Sequence, residues 1–355
     1  MDDESQQRAK QRMKAFKAEK AQEKEKEAVA KEESRVLARK KNALQVFIKK
    51  EHIESVNKVQ RDLFSGLESM CDWKLLQPVN KTILKNLEGM KKSFPNFSEV
   101  IDFLESQMTL MLAGKKIVHF KPLLLVGEPG VGKTAFLNKL SGILNVPFVQ
   151  ENAGALSSNF GLAGMDSSWN GAKPGSIASQ LLTQEVGNFI YFLDELDKVI
   201  QSNGNGGDPM IAMYDLLEPN AASKFIDQCY GQAVAFNASC INFVAAANDV
   251  NKIHPAIVSR FRVFKIPNLT TDQVRMVAKS VHHNLQEEYA LSIQFDELSA
   301  EVLNILESMS PRQMIQVFES AYAKAIQANR NNLMPDDLQW QQRYQEDEPR
   351  RIGFY

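Results

Sequence analysis

Cysteine is scarce in this 355-residue chain: three occur, Cys71, Cys229 and Cys240, and no two are spaced as C-x-x-C. That excludes a disulfide framework and a cysteine-rich zinc site, and it suits a reducing compartment. Long apolar runs are missing too, since none reaches the roughly 20 residues that a membrane helix needs. The N-terminus is dense in Lys, Glu and Gln and has no apolar segment of the signal-peptide kind. A cytoplasmic protein without membrane attachment is expected. A net charge of -1 excludes a uniformly basic, nucleic-acid-coating protein while leaving room for a local basic patch.

Proline and glycine are absent from the first forty residues, which are rich in Lys, Glu, Ala, Gln and Arg. Those are helix formers of alternating charge, so a long solvated helix is expected there, with a disordered arm as the alternative. Its apolar residues (Met13, Phe16, Val29, Val36, Leu37) are too sparse for a regular coiled-coil seam. From Leu44 the spacing of Leu44, Phe47, Ile48, Val56, Val59 and Leu63 predicts helix over Leu44–Leu67. Residues 71–92 read as irregular helix. Phe94-Pro95-Asn96-Phe97 is a break, after which Ser98 suits an N-cap for a helix carrying Val100, Ile101, Phe103, Leu104 and Met108.

Beyond that helix, short apolar runs alternate with helices, the pattern of a parallel α/β sheet. Leu123–Val126, Phe148–Gln150, Phe189–Leu193, Ile241–Ala246 and Val263–Ile266 are the expected strands. A helical segment then opens near Thr271 and runs, with interruptions, to about Asn331. The expected organisation is a charged N-terminal arm over residues 1–67, a connector over 68–98 and an α/β nucleotide-binding domain over 99–268. A small helical lid over 269–340 and a tail over 341–355 complete it.

Leu123-Leu124-Leu125-Val126 runs into Gly127-Glu128-Pro129-Gly130-Val131-Gly132-Lys133-Thr134 and then into an apolar-periodic helix. Strand, G-x-x-x-x-G-K-T, helix is the setting of a phosphate-binding loop. Glycines let backbone N–H groups close around phosphate at a helix N-terminus, Lys133 supplies a point charge, and Thr134 offers a hydroxyl to Mg²⁺. Ile190-Tyr191-Phe192-Leu193-Asp194-Glu195 is an apolar strand tipped by two carboxylates. Asp194 is expected to hold Mg²⁺ through water and Glu195 to orient the attacking water. Asn248 ends another buried strand, where an amide can bond the γ-phosphate or the lytic water without adding charge. Ser259-Arg260-Phe261-Arg262 precedes the last strand; Arg260 is preferred over Arg262 as an arginine finger reaching a neighbouring subunit. Arg312, in Ser310-Pro311-Arg312, is the candidate lid arginine for the γ-phosphate.

These pieces, in this order, resemble the AAA+ ATPases, and their detail resembles the ATPase module of the Lon protease. Trp169-Asn170-Gly171-Ala172-Lys173-Pro174-Gly175 is similar to the Lon aromatic–aliphatic-G-A-M-P-G pore loop, and Leu193–Lys198 to its Walker B stretch. Asp208-Pro209 with Leu217-Glu218-Pro219-Asn220, Ala247-Asn248-Asp249 and Ile257-Val258-Ser259-Arg260 also have Lon counterparts. Val100–Leu104 is similar to the helix that flanks the adenine. The resemblance spans about Val100 to Ala328. It implies a three-layer αβα P-loop domain with a helical lid, an ATPase using ATP and Mg²⁺, and assembly into a ring, a hexamer in the family.

Two departures stand out. Only a short tail follows the lid, so the Lon peptidase domain is not expected. In the loop, Asn170 replaces the aliphatic partner of Trp169 and Lys173 replaces Met. In the family the aromatic pair grips an unfolded polypeptide in the ring channel; the alternative is Trp169 packing as a core or interface aromatic. The reading is an ATP-driven motor that remodels or translocates protein without its own protease. Alternatives are a DNA- or RNA-linked ATPase of the helicase-loader or mobile-element defence type, with the basic arm on phosphate, and an ATP-dependent switch. Gly204-Asn205-Gly206-Gly207 reads as a second pore loop or a linker. His282-His283 reads as surface, Met210 and Met213 as core, and Cys229 and Cys240 as small buried hydrophobes.

Overall fold

The five apolar runs from Leu123 onward form one parallel sheet. The computed structural model describes residues 20–22, 24–49, 57–155, 160–199, 210–291 and 293–338. The sheet strands are β4 (Leu123–Val126), β5 (Phe148–Asn152), β6 (Ile190–Asp194), β8 (Asn242–Ala247) and β9 (Arg262–Lys265), in the order β5-β6-β8-β4-β9. Each lies within two residues of its expected place. β4 and β8 pair in register from Leu123↔Val244 to Val126↔Ala247, and β6 and β8 from Ile190↔Asn242 to Leu193↔Ala245. Strands covered on both faces must be apolar throughout, which is why they read as unbroken apolar runs. Leu123, Leu124 and Leu125 are fully buried, as are Phe189, Ile190, Tyr191 and Phe192.

The chain divides into two compact units. The first takes the chain to Glu88, Glu99–Gly127 and Lys133–Ile266, and contains the sheet. Around it lie α4 (Ser98–Ala113, from Glu99), α5 (Lys133–Leu144), α6 (Phe160–Ala163), α7 (Ser176–Thr183), α8 (Met210–Leu216), α9 (Pro219–Ala222) and α10 (Pro255–Val258). One buried apolar cluster runs from Val46 and Phe64 through Tyr191 and Phe236 to Phe261.

The base of this sheet is fastened by two fully buried asparagines. Asn188 accepts from Gln77 N and donates to the carbonyls of Gln77 and Val118, while Asn242 accepts from Phe120 N and donates to Asn188 O. Buried amides satisfied in this way tie loop backbone to the base of the strands.

The N-terminal region departs from the helical expectation. Residues 24–37 are helical (α1), but Leu44–Lys49 is not. Ala43–Gln45 (β1) pairs antiparallel with β3 (Trp73–Leu75), and Phe47–Lys49 (β2) pairs antiparallel with β7 (Val234–Phe236). Pairing with partners 28 to 189 residues further along the chain overrides a spacing that reads as helix (roughly i, i+3, i+4). Helix resumes only at α2 (Lys58–Glu68), capped by Asn57, whose side chain accepts from Gln60 N. Between Cys71 and Lys92 the irregular helix resolves into β3 and the regular α3 (Lys81–Met90). Ser98 is not an N-cap: a 3₁₀ turn over Pro95–Phe97 leads straight into α4, with Ser98 itself helical at φ -52 and ψ -44. The readings of residues 1–19, Val56, Asp208-Pro209, Gly204–Gly207 and the tail lie outside the described residues.

The second unit holds Gly89–Ser98, Glu128–Gly132 and the chain from Pro267. Its helices α11 (Thr271–Glu288), α12 (Ala300–Leu306) and α13 (Pro311–Gln327) surround a core of Val274, Ala278, Leu306, Met314, Phe318 and Tyr322. Thr270 and Ser310 open α11 and α13 with reciprocal capping boxes to Gln273 and Gln313. His282, expected at the surface, is buried: Nε2 donates to the Asp296 carbonyl at 3.1 Å and Nδ1 accepts from the Tyr322 hydroxyl at 2.8 Å. His283 is exposed. Burial is the largest cause holding the His282 imidazole below its ordinary 6.5. A folded value below the unfolded one gives stability that is present above about pH 6.5 and is lost as pH falls through the folded value. Amide exchange in α11 and α13, corrected for intrinsic rate, should therefore accelerate as pH falls below about 6.5. His282→Gln should flatten that dependence, and an unchanged profile would argue against it.

Candidate functional site

The sheet order places β8 between β4 and β6, so the C-terminal tips of β4, β8 and β6 lie side by side at one edge. In an open parallel sheet that edge is where ligands bind. Beyond β4, Gly127 N donates to Ala247 O at 3.1 Å, tying the start of the loop to the tip of β8. Lys133, at the first turn of α5, donates through Nζ to Gly127 O at 2.6 Å and to Asn248 Oδ1 at 3.3 Å. Burial lowers the Lys133 pKa, and the charges of Asp194 and Asp197 oppose that shift. Lys133, Asn248 and Asp194 are thus brought together from three separate strand ends. Thr134 is half-buried in the first turn of α5.

The turn Glu128–Gly132 belongs to the second unit. Gly130 and Gly132 have φ of +89° and +98°, a region that admits glycine and strains residues with a Cβ. Asn96 holds this turn by donating to Val131 O at 3.2 Å and to Pro267 O at 3.2 Å. Asn268 donates to Glu128 Oε2 at 2.8 Å. A Cβ built on Gly130 would sit 3.7 Å from Ser310 Cβ, so the N-terminus of α13, with the exposed Arg312, abuts the turn. Pro129 and Val131 complete the turn, with Val131 buried.

Asp194 ends β6 half-buried. Burial is the main cause raising its carboxyl pKa; the Glu195 N–H, donating to Oδ1 at 2.9 Å, and the Lys133 charge pull it back. Glu195 occupies left-handed backbone at φ 57 and ψ 41. For a non-glycine residue that costs on the order of 1 kcal/mol, and such strain concentrates at functional positions. Its carboxylate pairs with Lys198 Nζ through Oε1 and accepts from Asn152 Nδ2 through Oε2 at 3.2 Å. Lys198 first, and then Asn152, hold the Glu195 pKa below the usual carboxylate range.

Sequence reading missed Asn152 and Lys198. Asn152 is the last residue of β5, level with Asp194 on β6, and only the strand order makes them neighbours. Lys198 stands three residues after Glu195 in a 3₁₀ turn, a spacing that carries a sequence signal.

Arg260 is half-buried: Nη1 donates to Ala256 O at 2.7 Å and the guanidinium lies 5.0 Å from the Tyr214 ring centroid. Arg262 is exposed and lies about 6 Å from both the Phe103 and Phe264 rings (6.0 and 5.9 Å). Trp169 is 47% exposed and Asn170 is exposed, on a loop whose arms join where Met165 N donates to Lys173 O at 3.0 Å. Met213 and Cys229 are buried, whereas Cys240 is only half-buried.

A lysine at a helix start beside a strand-tip carboxylate fits the charges of a Mg²⁺-bound phosphate. No helix among the described residues is long and apolar enough to cross a membrane. The family model described as "ATPase family associated with various cellular activities (AAA)" matches residues 123–268. Those residues are an AAA ATPase domain.

Relatives of this AAA domain include the Lon protease of Dictyoglomus thermophilum, 33% identical over 157 residues, 44% of this chain and 19% of that protein. The Lon protease of Malacoplasma penetrans is 27% identical over 250 residues, 66% of this chain and 30% of the relative. The peroxisomal Lon protease homolog 2 of Spinacia oleracea is 28% identical over 185 residues, 52% of this chain and 20% of its own length. The chain thus spans less than a third of the length of these relatives. A mutant RuvB from Thermotoga maritima is similar in structure at a TM-score of 0.46 and 15% identity, over 74% of this chain and 71% of that one. Residues 123–268 thus match the AAA family, and the chain is similar there to the ATPase region of Lon proteases.

Proposed function

We propose that this ATPase drives the remodelling or translocation of a polypeptide through a ring, a hexamer by analogy with the family. The observation that carries this reading is Trp169, half exposed on a hydrogen-bonded loop within an AAA domain of Lon type. An exposed indole on a braced loop offers apolar area to an extended chain at little cost in ordering.

In this reading the Glu128–Gly132 turn and Lys133 hold the β- and γ-phosphates. Thr134 and Asp194 hold Mg²⁺, the latter through water. The ion, when bound, neutralises charge on the phosphate oxygens. Glu195 orients and polarises the attacking water, and Asn248 hydrogen-bonds it or the γ-phosphate. Arg312 meets the γ-phosphate from the lid helix that abuts the Glu128–Gly132 turn. Arg260 is the finger offered to a neighbouring subunit, with Arg262 as its competitor. Stacking on Tyr214 favours Arg260, because a braced guanidinium loses less freedom when it meets phosphate.

Phosphate release measured with unfolded casein or single-stranded DNA, over a salt series, tests the substrate class. Casein should stimulate the wild type severalfold, and Trp169→Ala should remove most of that stimulation. Stimulation by DNA alone, falling steeply with salt, would replace this reading with the nucleic-acid-linked one.

A further inference from the structure

The base of the Trp169 loop is gripped by a buried carboxylate. Asp227 is fully buried, yet it lies in an irregular segment between Phe225 and β7. Its Oδ2 accepts from Gly175 N at 2.7 Å, and its Oδ1 accepts from Cys229 N at 2.9 Å and Tyr230 N at 3.4 Å. Gly175 is the last residue of the loop, where α7 begins. Gly164, at the other end, has a φ of +80°, and a Cβ there would fall 2.6 Å from Asp227 Oδ1. A Cβ on Gly175 would fall 2.2 Å from Leu162 O. Beside these contacts Gln228 N donates to Ala163 O at 2.7 Å. Both ends of the loop therefore converge on one side chain.

That side chain connects onward to the N-terminal region. Tyr230 stacks on Phe64 of α2 at 6.5 Å between centroids and meets Phe236 of β7 edge-on at 5.1 Å. Phe236 is in register with Phe47 of β2. Asn57, which caps α2, donates to Ser167 Oγ on the loop at 2.8 Å.

We propose that Asp227 is the positioning residue of the Trp169 loop, clamping its two ends to the 228–230 turn so that loop, turn and N-terminal segment move as one body. The inference rests on the loop reading above for its purpose, though not for its geometry. A carboxylate suits the task because it accepts on both sides at once. Oδ2 takes the N–H of the loop's last residue and Oδ1 takes two N–H groups of the turn, while Gly164 packs against the carboxylate without bonding it. An asparagine of the same size offers one oxygen and one NH₂, so one side must set donor against donor. Burial pushes the Asp227 carboxyl up to about 6, opposed first by the Gly175 N–H.

The test uses the full chain carrying Asp227→Asn, with hydrogen exchange read across all peptides. Exchange over 164–175 should rise about tenfold or more while β4, β6 and β8 stay protected. In a Trp73→Phe, Trp340→Phe background, the fluorescence anisotropy of Trp169 should fall as the loop gains nanosecond motion. The casein concentration giving half-maximal stimulation should rise severalfold. Unchanged exchange and anisotropy in a folded Asp227→Asn chain would overturn the proposal.

Should that variant fail to fold, the wild type provides the second measurement. Of the titratable groups around Asp227, Cys229 is pushed up to about 11 and Tyr230 to about 12. Asp166 on the loop is held below the usual carboxylate range by Ser168, and Lys173 is the loop's cation. Corrected exchange over 164–175 should slow as pH falls through about 6, because a carboxyl held above its unfolded value binds its proton more tightly with the loop closed than open; a flat profile would overturn the clamp. Absence of casein stimulation in the wild type removes the translocation reading alone; the exchange result decides the clamp independently.

Discussion

Glu195→Gln is expected to lower the rate of ATP turnover by about 100-fold or more while leaving nucleotide bound, a loss in the range of a removed general base. The physical ground is the state of this carboxylate. Left-handed backbone turns it out of the β6 line, and the pairing with Lys198 together with the Asn152 amide keeps it ionised. Glutamine preserves the length and an oxygen for Asn152 but carries no charge with which to polarise a water. The groups proposed to hold phosphate, the Glu128–Gly132 turn and Lys133, and those proposed to hold Mg²⁺, Thr134 and Asp194, are untouched, so affinity should stay within a few-fold. Single-turnover phosphate release beside equilibrium binding of a fluorescent ATP analogue measures both. Turnover within about threefold of wild type would remove Glu195 from its role.

Asn188→Ala should be the most costly single change among the polar residues of the sheet unit, at about 2–5 kcal/mol. The substitution leaves the buried Val118 O and the half-buried Gln77 N without their side-chain partner, and each such orphan costs about 1–3 kcal/mol. Gln77 O retains the Val118 N–H at 2.8 Å and is partly compensated. Urea unfolding followed by circular dichroism reads the loss as a lower midpoint with little change in slope. The exposed Asn251→Ala should stay within about 0.5 kcal/mol. Equal midpoints for the two variants would show that the buried amide network holds less than its geometry implies.

Neither asparagine drew notice in the sequence, and the reason is instructive. Asn188 stands just before the expected strand Phe189–Leu193 and reads as its boundary, while Asn242 is a single polar residue inside the apolar run Ile241–Ala246. That both are buried, and that they bond each other, follows from strand order, which periodicity does not encode. The strands themselves were legible because burial on two faces demands continuous apolar runs, and the phosphate loop because glycine spacing and flanking elements agree. β1 and β2 were not legible. Three residues are too few to show alternation, and their partners β3 and β7 lie far along the chain. His282 did carry a signal: Val274, Ala278 and His282 follow at steps of four on the face that α11 buries. The roles of Asn152, Lys198 and Asp227 needed tertiary neighbours to emerge.

The place of β8 between β4 and β6 has a quantitative consequence. Two interstrand steps, about 9–10 Å in all, separate the strand that feeds the phosphate loop from the strand that ends in Asp194. That span is a ruler ruled in backbone hydrogen bonds, and no side chain enters its length. Residues on either face of these strands can drift through evolution without detuning the gap between cation and carboxylate. Sequence divergence in the strands can then run far ahead of divergence in the chemistry at their tips.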